Sequence, residues 1–129
     1  MLTEQEQQYF DDIVTNIKLK FNIIIPILAY DHGKVEGYEN ALGIAYADEN
    51  KKVYQITVDE FFIHECYCDH RWSQGIRGAN SWPKLEPESL EGLICHEIAH
   101  MKYLRHGRWH KRETERLFNV ISNEHSQSA

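Results

Sequence analysis

His96-Glu97-Ile98-Ala99-His100 is the stretch of sequence from which the fold and chemistry of this chain are best inferred. Two histidines four residues apart lie about one turn apart on the same face of a helix, so their ring nitrogens can point at one metal ion. Glu97 lies near that face and is expected to reach a water on the metal rather than the metal itself. Zinc lowers the pKa of such a water to about 7, and a carboxylate can take its proton during attack on a carbonyl. The spacing therefore predicts a zinc site with Glu97 as general base.

The helix around this stretch is predicted to bury the Glu97 carboxylate. At about 100° per residue, five apolar side chains share one arc of the helix, and Glu97 falls inside that arc. The arc consists of Leu90, Leu93, Ile94, Met101 and Leu104. Because an unpaired buried charge is strongly unfavourable, a divalent ion beside Glu97 is the expected compensating partner. A chance pair of surface histidines beside a solvated glutamate is the alternative, and the position of Glu97 argues against it.

A third ligand must complete such a site, since a catalytic zinc has three protein ligands and a water. His106 follows His100 after five intervening residues. On a continuous helix it would stand about 9 Å further along the axis, so the helix must break before it. Gly107 is a helix-ending signal beside it. We expect His106 to be the third ligand, with His110 and Glu113 as its rivals.

The run from His96 to His100 followed by His106-Gly107 resembles the SprT-like metallopeptidases and the related WLM-type zinc peptidases. Residues 42–47 and 53–62 resemble the hairpin that precedes the helix in that family, so the resemblance covers roughly residues 40 to 121. It implies a zincin-like fold, Zn²⁺ held by His96, His100 and His106, and Glu97 as the catalytic base. It also implies hydrolysis of peptide bonds in a protein or peptide substrate.

One departure from the family pattern follows the third histidine. The family places an aromatic residue four positions after it, whereas here Trp109 stands three positions after His106 and His110 takes the fourth. The turn after His106 is therefore not the standard one of the family.

The rest of the chain predicts an α+β fold with an antiparallel or mixed sheet. Residues 1–122 are predicted to form one zincin-like metallopeptidase domain, followed by a flexible tail at 123–129. Helices are inferred from apolar spacing of three and four residues, and strands from alternation. The predicted elements are a helix at 3–20 capped by Thr3 and Glu6, an edge strand within 21–28, a hairpin at 42–46 and 54–58, a long loop at 64–86, the active-site helix from Pro87 to about Leu104 and a last helix from Trp109 to Ser122.

Two further segments carry residues that bind metals or nucleic acids. His64, Cys66, Cys68 and His70 recur at every second position, so an extended segment would place all four on one side, where a second metal could bind. Ordinary residues following a strand are the plainer interpretation.

The loop at 70–84 is basic and aromatic, with no acid between Asp69 and Glu86. Such a loop could stack bases and make a local DNA contact, although a solvated loop is the plainer interpretation. The alternative function is accordingly a zinc-containing, nucleic-acid-associated adaptor without proteolytic activity. Glu97 separates the two functions, because a structural zinc site has closed coordination and needs no base.

Charge and composition limit the remaining possibilities. A formal net charge of -6 argues against holding nucleic acid or an anionic membrane by bulk attraction. The longest apolar stretch, 21–30, contains Asn22 and Pro26 and is about half of the roughly 20 residues that a membrane-spanning helix needs. The N-terminus has no basic or apolar signal, and three cysteines favour free thiols in a reducing compartment. A cytoplasmic protein without membrane contact is expected.

Overall fold

The computed structural model describes the backbone of residues 1–72 and 89–128 and the side chains of residues 1–69 and 89–123.

The first helix, α1 (Glu4–Phe21), begins at a capping box. The Thr3 hydroxyl accepts from the Glu6 N–H, and the Glu6 carboxylate accepts from the Thr3 N–H. Two of the amides that no helical partner reaches are thereby satisfied. The helix ends at Asn22, whose φ of 56° is tolerated by that short polar side chain. The predicted helix is confirmed.

The sheet is mixed and has the strand order β1-β3-β2. Strand β1 (Ile27–Tyr30) runs parallel to β3 (Val53–Asp59), and β2 (Gly43–Ala47) runs antiparallel to β3. The predicted hairpin is confirmed. The edge strand exists but begins at Ile27, because α1 occupies the chain through Phe21 and Pro26 lacks a ladder donor.

Residues 60–72 form helix α2 (Glu60–Trp72), so the prediction of a long loop at 64–86 is wrong for the first part of that range. Residues 73–86, which are the remainder of that loop and include most of the proposed DNA contact, lie outside the described residues. Phe62, Ile63 and Cys66 are buried at helical spacing, a pattern that the alternating histidines and cysteines concealed.

The premise of a second metal site on an extended segment is therefore wrong. On α2, Cys66 is buried in the core, whereas Cys68 is exposed. His64 lies one turn from Cys68, with its Nε2 3.7 Å from that sulfur, and its Nδ1 contacts the Glu6 carboxylate. The side chain of His70 is outside the described part.

Helix α3 (Leu90–Ala99) begins at Ser89, whose hydroxyl accepts from the Gly92 N–H. The predicted start at Pro87 lies outside the described residues. The predicted end near Leu104 is wrong, because the helix stops at Ala99 with His100 as its cap. Met101 and Leu104, counted in the predicted apolar arc, are exposed, so no core contact extends the helix past His100.

The last helix, α4 (Arg108–Ser128), packs against α3. The residues predicted for its inner face, Leu117, Phe118 and Ile121, are buried. The helix continues past the predicted end at Ser122, so the segment 123–128, predicted as a flexible tail, is helical.

The core lies between the sheet and the helices and includes Phe10, Ile56, Ile63, Leu90 and Ile94. Within the described residues the chain has four α-helices and a three-stranded mixed sheet, which confirms the α+β class. None of the helices described in residues 1–72 and 89–128 has both the length and the apolar composition needed to cross a membrane.

Candidate metal centre

Helix α3 carries Glu97 into the interior, as its position in the apolar arc predicts. The residue is only 4% exposed, and its Oε2 lies 4.0 Å from the Nε2 of His96. Strand β2 passes over this carboxylate at Gly43. A Cβ added at that glycine would lie 2.7 Å from Glu97 Oε2, which is closer than real contacts allow. The absence of a side chain at Gly43 therefore makes room for Glu97.

The turn after α3 brings His106 back to the helix. Its Nε2 lies 3.1 Å from the Nε2 of His96, although ten residues separate the two in sequence. The predicted break before His106 is thus present, and it comes at Ala99, earlier than the predicted helix end near Leu104. The structure brings together His96, His100 and His106, the three histidines predicted as ligands.

His110, predicted only as a rival to His106, also reaches this cluster. It lies in the first turn of α4, is 3% exposed, and contacts the rings of both His96 and His100. His96, His100 and His110 each offer one nitrogen, and these atoms lie within 4.8 Å of one another. The buried triad could therefore hold a metal ion.

Glu113, the other rival, is engaged elsewhere. The Arg116 guanidinium donates to both of its oxygens, at 2.9 and 2.8 Å. These hydrogen bonds lower the pKa of the Glu113 carboxyl and hold it in an ion pair one turn along α4.

Backbone carbonyls orient two of the four rings. The His100 Nδ1–H donates to the Tyr103 carbonyl at 3.1 Å, so the lone pair available for a metal ion is the one on Nε2. The His110 Nε2–H donates to the His96 carbonyl at 2.9 Å, which leaves the lone pair of its Nδ1. Metal-binding histidines commonly make this second hydrogen bond, since it fixes the tautomer and the ring orientation.

The electrostatics of the cluster favour neutral imidazoles. Burial, with the neighbouring His110, His100 and His106, lowers the pKa of His96 to about 4. Burial also lowers the pKa of His100 and of His110. At neutral pH these rings therefore keep the lone pairs that a metal ion requires.

We expect the metal-free protein to lose stability in acid. His96 has a pKa of about 4 in the fold and about 6.5 when unfolded, so between these values the unfolded chain binds more protons. The free energy of unfolding should fall as the pH is lowered from about 7 to about 4. Urea unfolding in the presence of a chelator measures this, and His96→Gln should show a shallower pH dependence. Equal slopes for the two proteins would contradict the assignment.

A cavity of about 460 Å³ opens beside Glu97 and the histidines. Its walls include Tyr38, Leu42 and the first residues of β2. This volume lies within the range of small-molecule and substrate pockets.

His32 fixes one wall of that cavity, a role that no sequence pattern indicates. The fully buried ring donates from Nδ1 to the Ala41 carbonyl at 2.6 Å and accepts at Nε2 from the Thr57 hydroxyl at 2.8 Å. Its backbone N–H donates to the Asp59 carboxylate. The segment before β2 is thus tied to β3.

Neither a scan against models of protein families nor searches of curated proteins and of solved structures finds a match to this chain.

Proposed function

We propose that the chain is a zinc-dependent peptidase with a zincin-like active site, similar to the SprT-like enzymes. In this proposal His96 and His100 hold the ion together with a ring from the turn or from α4, and Glu97 is the general base. The observation that carries the proposal is the buried Glu97 carboxylate, next to the histidine cluster and on the wall of an open cavity.

Zinc fits the donor set. Imidazole nitrogens suit zinc among several transition metals, and the described cluster consists of imidazoles held neutral by burial. When bound, zinc makes a coordinated water more acidic and polarises a substrate carbonyl. A structural site would not need the adjacent carboxylate, which supports hydrolysis over the adaptor function.

The roles of the protein residues follow from their positions. Glu97 lies beside the ligand nitrogens without belonging to the cluster, so it can accept a proton from water and return it to the leaving amine. Burial against β2 restricts the carboxylate to this position, which keeps it oriented for proton transfer.

Strand β2 supports a peptide as the substrate class. It is the outer strand next to β3 in the described sheet, and Gly43, Ile44 and Ala45 line the cavity. An extended peptide can add to such an edge through main-chain hydrogen bonds, which require no particular side chains. A scissile bond bound along β2 would lie beside Glu97.

Zinc-dependent cleavage of peptides tests the proposal. The purified chain should bind one zinc ion, cleave members of a peptide library, lose this activity to a chelator and regain it with added zinc. Mass spectrometry of the library identifies the new N-termini. A zinc-loaded protein that yields no new N-termini, in the library or in a cell lysate, would refute the peptidase.

A further inference from the structure

The four histidine rings of the cluster lie at the corners of a tetrahedron. Their six centroid separations run from 4.1 Å, between His100 and His110, to 5.2 Å, between His106 and His110. Four points with six similar separations cannot lie in a plane or a row. The four centroids therefore surround a common centre, and His110 occupies one of the corners.

The size of this tetrahedron fits one metal ion. Zinc–nitrogen bonds of about 2.0–2.1 Å place ligand nitrogens about 3.3 Å apart and ring centroids about 5 Å apart in a tetrahedral four-histidine site. The His96 and His106 Nε2 atoms are 3.1 Å apart, and four of the six centroid separations lie between 4.7 and 5.2 Å. The two separations from His110 to His96 and to His100 are shorter, at 4.4 and 4.1 Å. The nitrogens of His96, His100 and His110 lie within 4.8 Å of one another, and His106 joins this group through its contact with His96. Two imidazole nitrogens this close together repel each other unless a proton or a metal cation lies between them. A metal cation at the centre would bind one nitrogen of each of the four rings.

The four positions differ in how firmly they are held. His100 and His110 are buried and hydrogen-bonded to backbone carbonyls, and His96 lies within α3. His106 is exposed, lies between α3 and α4, and within the described residues makes no hydrogen bond except the one to His96. His106 is therefore the ring whose displacement from the cluster requires the least free energy.

We propose that all four histidines bind the metal in the resting protein, His110 through Nδ1, and that His106 is the ligand that leaves when the site opens. The inference rests on the metal site of the proposed function. In the exchange, His106 Nε2 would leave the ion and a water oxygen would take the vacated position. Both ligands are neutral, so the charge of the site is unchanged. A catalytic zinc needs such an open position, which a four-histidine site lacks.

This arrangement assigns different roles to His106 and His110, both of which are candidates for the third ligand. His110 belongs to the permanent set with His96 and His100, and His106 closes the site at its solvent side. Because His106 also lines the cavity, a bound substrate would compete for the space that its ring occupies. Release of His106 would thus be favoured by occupancy of the cavity.

Zinc affinity separates these roles without any measurement of activity. His110→Gln keeps an N–H that can donate to the His96 carbonyl but removes the Nδ1 lone pair. It therefore tests the role of His110 as a metal ligand separately from its hydrogen bond to the backbone of α3. We expect it to weaken zinc binding by more than the roughly 100-fold that loss of an outer-shell partner causes, and His106→Ala by only about 10-fold. Competition with a chromophoric chelator gives both values. His64→Gln, which removes an exposed histidine on α2, should bind zinc like the wild type.

Cobalt substitution tests, on the wild-type protein itself, whether four ligands close the metal site. The cobalt-loaded wild type should show the intense visible bands of a tetrahedral site and little change with added azide. His106→Ala should bind azide readily. Wild-type protein that takes up azide as easily as His106→Ala would overturn the closed site. A loss of zinc affinity in His110→Gln of about 100-fold or less would overturn the role of His110 as a ligand, because an outer-shell partner accounts for an effect of that size. Both results are independent of peptide cleavage, so failure of the peptidase proposal would be recognised separately.

Discussion

Glu97→Gln is expected to lower the proposed peptidase activity by about 10²- to 10⁴-fold while the zinc of the proposed site is retained. Glutamine has nearly the same shape, so the buried site beside β2 stays filled, but the amide cannot accept a proton from water. Zinc content remains because Glu97 is adjacent to the histidine cluster and is not one of its members. Rates of peptide cleavage and metal analysis on the same preparation measure the two effects.

The matched control for this variant lies on the same helix. Glu91→Gln removes the same charge from the first turn of α3, away from the histidines, and should leave activity near that of wild type. Full activity in Glu97→Gln would eliminate Glu97 as the base. Loss of zinc together with activity would instead show that the carboxylate holds the ion.

Gly43→Ala is expected to lower the cleavage rate by about 100-fold, because misplacing a catalytic group by about 1 Å has an effect of this size. The new methyl group would lie 2.7 Å from Oε2, 2.9 Å from Cγ and 3.0 Å from Cδ of Glu97. Either the carboxylate or β2 must shift. Zinc affinity should change little, because the three atoms nearest to the new methyl group all belong to Glu97 and not to a histidine.

Gly107→Ala is the control for adding a methyl group to a glycine near the site. A Cβ there would meet no atom within 4 Å, so activity and folding should remain close to those of wild type. Steady-state kinetics and thermal unfolding of the two variants measure the difference. Equal activity in Gly43→Ala and Gly107→Ala would show that the position of Glu97 is not restricted by β2.

Local patterns in the sequence were sufficient to predict several elements of the fold. The capping box at Thr3 and Glu6 and the alternation in β2 and β3 each depend on residues close together in the chain. The same holds for His96, Glu97 and His100, whose relative positions follow from the geometry of one helix turn.

Features that depend on tertiary packing were not predictable in the same way. The early end of α3 and the entry of His110 both follow from how the turn at 100–107 folds back, which no periodicity specifies. The proximity of Gly43 to Glu97 joins residues 54 positions apart. In α2 the sequence signal was present, but the alternation of His64, Cys66 and Cys68 suggested an extended segment instead.

The hydrogen bond from His110 to the His96 carbonyl joins the C-terminal helix to the helix that carries the proposed base. The same α4 contributes Leu117, Phe118 and Ile121 to the core. In the proposed site, metal occupancy and docking of α4 are therefore thermodynamically linked, since each requires His110 in the same place. Metal starvation would loosen α4 and expose its apolar side to degradation. The supply of metal would then set the lifetime of the folded protein as well as its activity.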